Sequence, residues 1–155
     1  EFELSPSFLI LEITEGVLME NTDKAIDDIN KLRSLGIKVA LDDFGTGFSS
    51  LAYLKALNVD IIKLDRSFIQ NALSDRTSNI ITKTVIELAR DLKLKLVAEG
   101  IENYQQFLYL RELKCYSGQG YLYGRPLPAS EFEKALRIGN MELINKKVES
   151  PIFLK

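Results

Sequence analysis

The residues best equipped for chemistry are six in a row, Asp42-Asp43-Phe44-Gly45-Thr46-Gly47. They follow an apolar run, residues 37–41, that reads as a strand, and they precede Phe48-Ser49-Ser50-Leu51, which reads as a helix start. Adjacent carboxylates at a strand end repel each other, and burying either one without a partner costs several kcal/mol. Two readings of the hexapeptide are open. Either a divalent cation holds the pair, or the segment is a polar turn in which one aspartate caps the next helix.

What the sequence lacks narrows the chemistry. It contains no histidine. Within these residues that excludes Ser-His-Asp and Cys-His catalysis, His-ligated zinc and His-Asp metal phosphohydrolase sites. Cys115 is the single cysteine, so there is neither an internal disulfide nor a cysteine-based zinc site. Carboxylates, lysine and hard oxygen-preferring cations remain. The net charge of −2, with acids and bases interspersed, argues against a surface built for polyanions. A length of 155 residues with 46% hydrophobic content suffices for one core. No apolar run approaches the ~18 residues of a membrane span, and no signal-peptide pattern is visible, so a cytoplasmic setting is expected.

The elements that must position these groups alternate between strands and helices. Strands are expected at residues 8–13, 38–43, 60–65 and 95–100, with a glycine-interrupted fifth at 116–121. Helices are expected at 22–35, with Ile26, Ile29, Leu32 and Leu35 on one face, and at 50–57 and 66–73. A longer helix over 77–92 would bury Ile80, Ile81, Thr84, Val85, Leu88 and Leu92. Asn103 and Gln106 form a capping-box pattern opening a helix over 103–113, and Pro128 with Ser130-x-x-Glu133 opens a last one. Such alternation predicts a parallel α/β sheet. Residues 138–155 read as an appended tail.

Polar residues concentrate at the strand ends: Glu12 on the first, Asp42 and Asp43 on the second, Lys63 and Asp65 on the third, Glu99 and Glu102 after the fourth, Gln119 on the fifth. In a parallel sheet the C-terminal strand ends share one rim, where sites are built. Glu12, Asp42, Asp43, Lys63, Glu99 and Gln119 are therefore expected to converge. Any one alone reads as a solvated end. Asp65 and Glu102 also read as helix-start carboxylates favoured by the dipole, and the same reading is open for Glu15.

Five segments, in order, resemble the motifs of the EAL family of bacterial cyclic di-GMP phosphodiesterases. They are Leu11-Glu12-Ile13-Thr14-Glu15, Asp42 to Leu51, Ile62-Lys63-Leu64-Asp65, Val97-Ala98-Glu99-Gly100-Ile101-Glu102, and Gly118-Gln119-Gly120-Tyr121 with Pro126. The resemblance implies a (β/α)8-type, TIM-like barrel of ~250 residues, of which this chain matches the last five βα units. The family's Glu-Ala-Leu strand and the Asn-bearing strand after it have no counterpart here. Residues 1–6 look like the end of the helix that follows the Asn strand, and residues 1–137 read as a partial EAL domain.

The resemblance also implies roles. Two Mg²⁺ or Mn²⁺ ions would be held by Glu12, Asp42 and Asp43, with Asp42 shared. Lys63 would orient the attacking water or stabilise phosphoryl charge, and Glu99 would position water and act as general base. Gln119 would hold a water or substrate group. Glu15 would brace Gly45, Thr46 and Gly47, the loop leading to a homodimer interface in the parent protein, and Glu102 would lend support nearby. Gly16 and Asn103 replace a usual serine and threonine without removing a carboxylate. The implied reaction is hydrolysis of cyclic di-GMP to linear pGpG, with no nucleic acid polymer or membrane as partner. The alternatives are a non-catalytic cyclic di-GMP-binding or protein-docking module, or another metal-dependent barrel enzyme. The isolated chain, lacking two implied metal ligands and one flank of its sheet, is expected to self-associate and to show no useful turnover.

Overall fold

The computed structural model describes residues 3–16, 22–47, 54 and 56–138. Four parallel strands, β1 (Ile10–Thr14), β2 (Lys38–Phe44), β3 (Ile61–Leu64) and β4 (Lys95–Ala98), form one sheet in the order β1-β2-β3-β4. Strand order equal to chain order, without reversal, is the arc of a (β/α) barrel rather than a doubly wound sheet. The helices are α1 (Thr22–Ser34), α2 (Arg66–Asn71), α3 (Arg76–Asp91), α4 (Tyr104–Glu112) and α5 (Ala129–Ile138). None of the described helices is long and apolar enough to cross a membrane.

The two central strands are buried as parallel-sheet strands should be. Val39, Leu41, Ile62 and Leu64 are wholly inaccessible and join Ile29 of α1, Val85, Ile86 and Ala89 of α3, and Leu110 of α4 in one core. The other sheet face carries Glu12, Asp42 and Lys63. The registers Glu12↔Ala40, Ala40↔Ile61 and Lys63↔Val97 place these positions on a common side, because paired residues of parallel strands point the same way.

Several boundaries differ from expectation. The first strand begins at Ile10, because Pro6–Phe8 forms a 3-10 turn and Ser5 caps it; residues 3–5 carry no helix. The fifth strand is reduced to a single parallel bridge between Ala98 and Gly118. Around it, Gln119 N–H donates to the Ala98 carbonyl at 2.9 Å and Ile101 N–H to that of Gln119 at 3.1 Å. The chain then turns over Ile101, whose backbone lies so close to Gly120 that a Cβ there would overlap it. The expected helix over 50–57 and the tail beyond Ile138 lie outside the described residues, apart from helical Leu54 and Ala56 and the buried bend residue Leu57. The buried stripe of α3 is Thr82, Val85, Ile86 and Ala89, with Ile80 and Leu92 exposed. Thr84, also expected in the stripe, is exposed, so the buried arc is rotated relative to the apolar pattern. Leu35, expected on the inner face of the first helix, is exposed beyond its end.

At the end of the sheet away from the acids, Asp60 joins several elements. It accepts from Arg33 of α1 at 2.9 and 3.2 Å and from Val39 N–H of β2 at 2.9 Å. Burial raises its pKa, but the Arg33 and Val39 hydrogen bonds outweigh this and hold the carboxyl below its ordinary range. Asp60→Ala leaves a backbone donor and a guanidinium without an acceptor. It should destabilise the chain by about 2 kcal/mol in urea unfolding.

Strand β1 is the edge of the described sheet. Phe8, Leu9, Ile10 and Leu11 are all exposed, Phe8 by 75%. An apolar edge with unpaired backbone groups templates further strands. Light scattering should detect self-association of the chain at micromolar concentration, and Ile10→Lys should reduce it.

Candidate active site

Lys63 is the centre of the rim. It sits on a fully buried strand, and its side chain is only 7% exposed. Its ammonium Nζ lies 2.7 Å from Glu12 Oε2, 2.8 Å from Glu99 Oε1 and 3.0 Å from Asp42 Oδ1. Three carboxylates from three other strand ends therefore meet on one cation, and Glu12 and Asp42 lie within a few ångström of each other. Burial would pull the lysine pKa down. Hydrogen bonds to Glu12, Glu99 and Asp42 overcome that and hold it well above the ordinary lysine range. Glu99 is displaced upward, chiefly by burial and further by the Asp42 and Glu12 charges, with Lys63 acting in the opposite sense.

Asp42 and Asp43 are neighbours in a strand, where successive side chains normally point to opposite faces. Two features bring both to the rim. The β2–β3 register shifts between Leu41 and Phe44, a bulge, and Asp43 adopts a left-handed φ of 54°, which aspartate tolerates better than most residues. Asp42 Oδ1 accepts from Asp43 N–H at 3.0 Å, tying the pair. Carboxylate oxygens of Asp42, Asp43 and Glu99 consequently lie within 4.8 Å of one another. Three hard oxygen donors at that spacing match the needs of Mg²⁺ or Mn²⁺. Glu12 is not part of this tight trio; it faces Lys63 instead, with its side chain half exposed.

The remaining residues fall around this centre. Gln119 Nε2 donates to Glu99 Oε1 at 2.6 Å, and Glu99 N–H donates to the Leu64 carbonyl at 3.1 Å, so Glu99 is held from both sides. Buried Glu15 accepts from Gly45 N–H at 3.3 Å and Gly47 N–H at 2.8 Å. Thr46 Oγ1 donates to the Asp43 carbonyl at 2.9 Å. Asp65 caps α2 by accepting from Ser67 N–H. Glu102 is removed from the cation centre and accepts from Gln70 Nε2 at 3.2 Å. Its own N–H goes to Gln106, whose capping box with Asn103 opens α4.

Beside Glu99 and Gln119 opens a cleft of about 500 Å³ walled by Arg66, Tyr121, Arg125 and Phe132. The Arg125 guanidinium stacks 4.3 Å above the Tyr121 ring. Tyr121 closes the fifth EAL-like segment, but Arg66, Arg125 and Phe132 do not stand out as site residues in the sequence, because a lone arginine or aromatic residue has no periodicity to mark it.

The EAL domain model matches residues 1–126. The chain belongs to the EAL family. It is 48% identical over 134 residues to the cyclic di-GMP phosphodiesterase NbdA of Pseudomonas aeruginosa, covering 86% of this chain and 17% of that protein. It is 44% identical over 128 residues to the bifunctional diguanylate cyclase/cyclic di-GMP phosphodiesterase MucR of the same organism, covering 83% of this chain and 19% of that one. The chain thus spans under one fifth of the length of these relatives. Among solved structures it superposes on a PaMucR phosphodiesterase–cyclic di-GMP complex with a TM-score of 0.80 at 43% identity, covering 83% of this chain and 52% of that one. It also superposes on a Klebsiella pneumoniae BlrP1 manganese/cyclic di-GMP complex with a TM-score of 0.75 at 32% identity, covering 79% of this chain and 31% of that one.

The lysine hub makes a stability claim. Lys63→Met leaves Glu12, Asp42 and Glu99 facing one another without a cation. In divalent-free buffer at neutral pH it should cost about 3 kcal/mol in urea unfolding, the scale for breaking a buried ion pair. Glu99 is already displaced upward, and losing its ammonium partner displaces it further. A folded-state carboxyl above its unfolded value holds its proton better when folded. Stability is therefore greatest below the unfolded glutamate value and falls as pH rises through the folded one. Acidification toward that range should recover part of the loss.

Proposed function

We propose that this chain forms the acid-and-lysine rim of a metal-dependent phosphodiesterase that opens cyclic di-GMP to linear pGpG. The observation that carries this reading is the convergence of Glu12, Asp42 and Glu99 on Lys63, with Asp43 beside them, in a member of the EAL family. The donor set suits a divalent ion. Asp42, Asp43 and Glu99, with Glu12 at the margin, would hold Mg²⁺ or Mn²⁺. When bound, such ions supply Lewis-acid polarisation of the phosphoryl oxygens and lower the pKa of the attacking water.

The chain's own groups perform the rest. Water attacks phosphorus, the new P–O bond forms, and the bond to the ribose 3′ oxygen breaks. Glu99, oriented through Oε1 by Gln119 and Lys63 and raised in basicity by burial, accepts the proton that the water gives up. Lys63 Nζ is fixed in its protonated form by three carboxylates and offsets charge accumulating on the phosphoryl group. The departing 3′ oxygen takes a proton from solvent water to become a hydroxyl, and Glu99 returns its proton to solvent. The cleft between Arg66 and Arg125 lies beside the two groups that handle water and offers aromatic and cationic walls to a nucleotide.

The test is turnover of cyclic di-GMP, followed by chromatography, in the protein that carries these residues. Asp42→Asn and Lys63→Ala should each remove at least ~10²–10³-fold of kcat, the scale for losing one preorganised charge. Chelation should abolish turnover, and added Mn²⁺ or Mg²⁺ should restore it. Tight binding of cyclic di-GMP without hydrolysis by the unaltered protein would instead favour a sensing module.

A further inference from the structure

We infer that Phe68 is a positioning residue for the acidic site. Its ring holds the 43–47 loop in place and, through that loop, the Asp42 and Asp43 carboxylates. The inference rests on the reading of those carboxylates as cation ligands. Gly45 lies in the loop at φ 99°, a conformation side chains rarely adopt, and it packs directly against the Phe68 ring edge. A Cβ placed on Gly45 would come within 2.8 Å of Phe68 Cε2 and 3.2 Å of Cζ. Glycine and ring are thus matched: no larger residue fits at 45 while the ring stays where it is.

The ring's own position is tightly determined. Phe68 lies in the first turn of α2, which begins right after Lys63-Leu64 and is capped by Asp65. The next residue, Ile69, is wholly buried in the core, whereas Phe68 is only half-buried. Ile69 therefore anchors the helix and leaves the neighbouring ring at the rim. From the other flank of β2, Glu15 at the end of β1 accepts the Gly45 and Gly47 N–H groups. The acidic loop is accordingly gripped from both neighbouring strands, by a carboxylate from β1 and by an aromatic ring from the segment after β3. The ring ties the loop that carries the acids to the strand that carries Lys63.

Two readouts on the full chain test this: Mn²⁺ affinity by paramagnetic resonance of the free ion, and amide hydrogen exchange at Gly45 and Gly47. Phe68→Ala should weaken Mn²⁺ binding about tenfold, as loss of a supporting shell does, and should speed exchange at both glycines. Phe68→Leu, which keeps most of the volume, should restore both. Val85→Ala, a core truncation on α3 far from the loop in sequence, should lower the melting midpoint without altering either readout. Phe68→Val replaces the alanine variant if the latter does not fold. Unchanged glycine exchange in a folded Phe68 variant would overturn the inference. So would an equal loss of Mn²⁺ affinity in Val85→Ala, since Phe68 would then be only a core residue. An unaltered chain that fails to bind Mn²⁺, yet whose glycine exchange still responds to Phe68, would overturn the cation reading and leave the brace standing.

Discussion

Mutual repulsion among carboxylates gathered at one rim is the constraint on which the rest of this structure depends. At a few ångström, two like charges near a protein surface repel by about 4 kcal/mol. Lys63 answers that repulsion with one nearly buried ammonium shared by Glu12, Asp42 and Glu99. Taking the lysine out of water is itself costly, and only several carboxylates together offset the cost. The cluster is therefore reciprocal: the acids require the lysine, and the lysine is tolerable at that depth only among acids.

The sheet supplies the geometry. Parallel strands in chain order bring their C-terminal ends to one side, and strand parity places Glu12, Asp42 and Lys63 on a common face. Parity alone would send Asp43 to the opposite face. The bulge in β2 and the left-handed Asp43 backbone override it, and the loop that follows is held by Glu15 and by the packing of Gly45 against Phe68. At the opposite end, Asp60 secures α1 and β2. A separation between a stable base and an adaptable rim is the usual division of labour in barrels.

Much of this was legible from residue types. The helix start at Asn103 was readable because its side chain satisfies a free N–H group of the first turn locally. Near Pro128 a helix was readable but not its cap, since it starts at Ala129 with Ser130 inside it and Glu133 paired to Arg137. The convergence of acids and lysine was readable because strand alternation and a shared rim need no long-range information. The fifth strand was not, since its loss to a single bridge reflects close approach to Ile101, and a sequence window does not contain that neighbour. The buried stripe of α3 was misplaced because apolar residues cover a wide arc of that helix. Which part of the arc meets the core is set by tertiary packing, which buries Thr82 and Ala89 and leaves Ile80 and Leu92 exposed.

The sequence by itself determined the chemistry available: no histidine, one cysteine, hard oxygen donors and one lysine at strand ends, in an order that matches a family. Those are properties of residue type and spacing, and they survive any packing. Tertiary structure alone decided which carboxylates meet, bringing Asp42, Asp43 and Glu99 within 4.8 Å of one another and Glu12, Asp42 and Glu99 onto Lys63. It also decided that a phenylalanine outside the acidic motif would seat the loop. Distances of a few ångström between residues far apart in sequence arise from backbone bulges and helix–sheet contacts, and no local pattern encodes them.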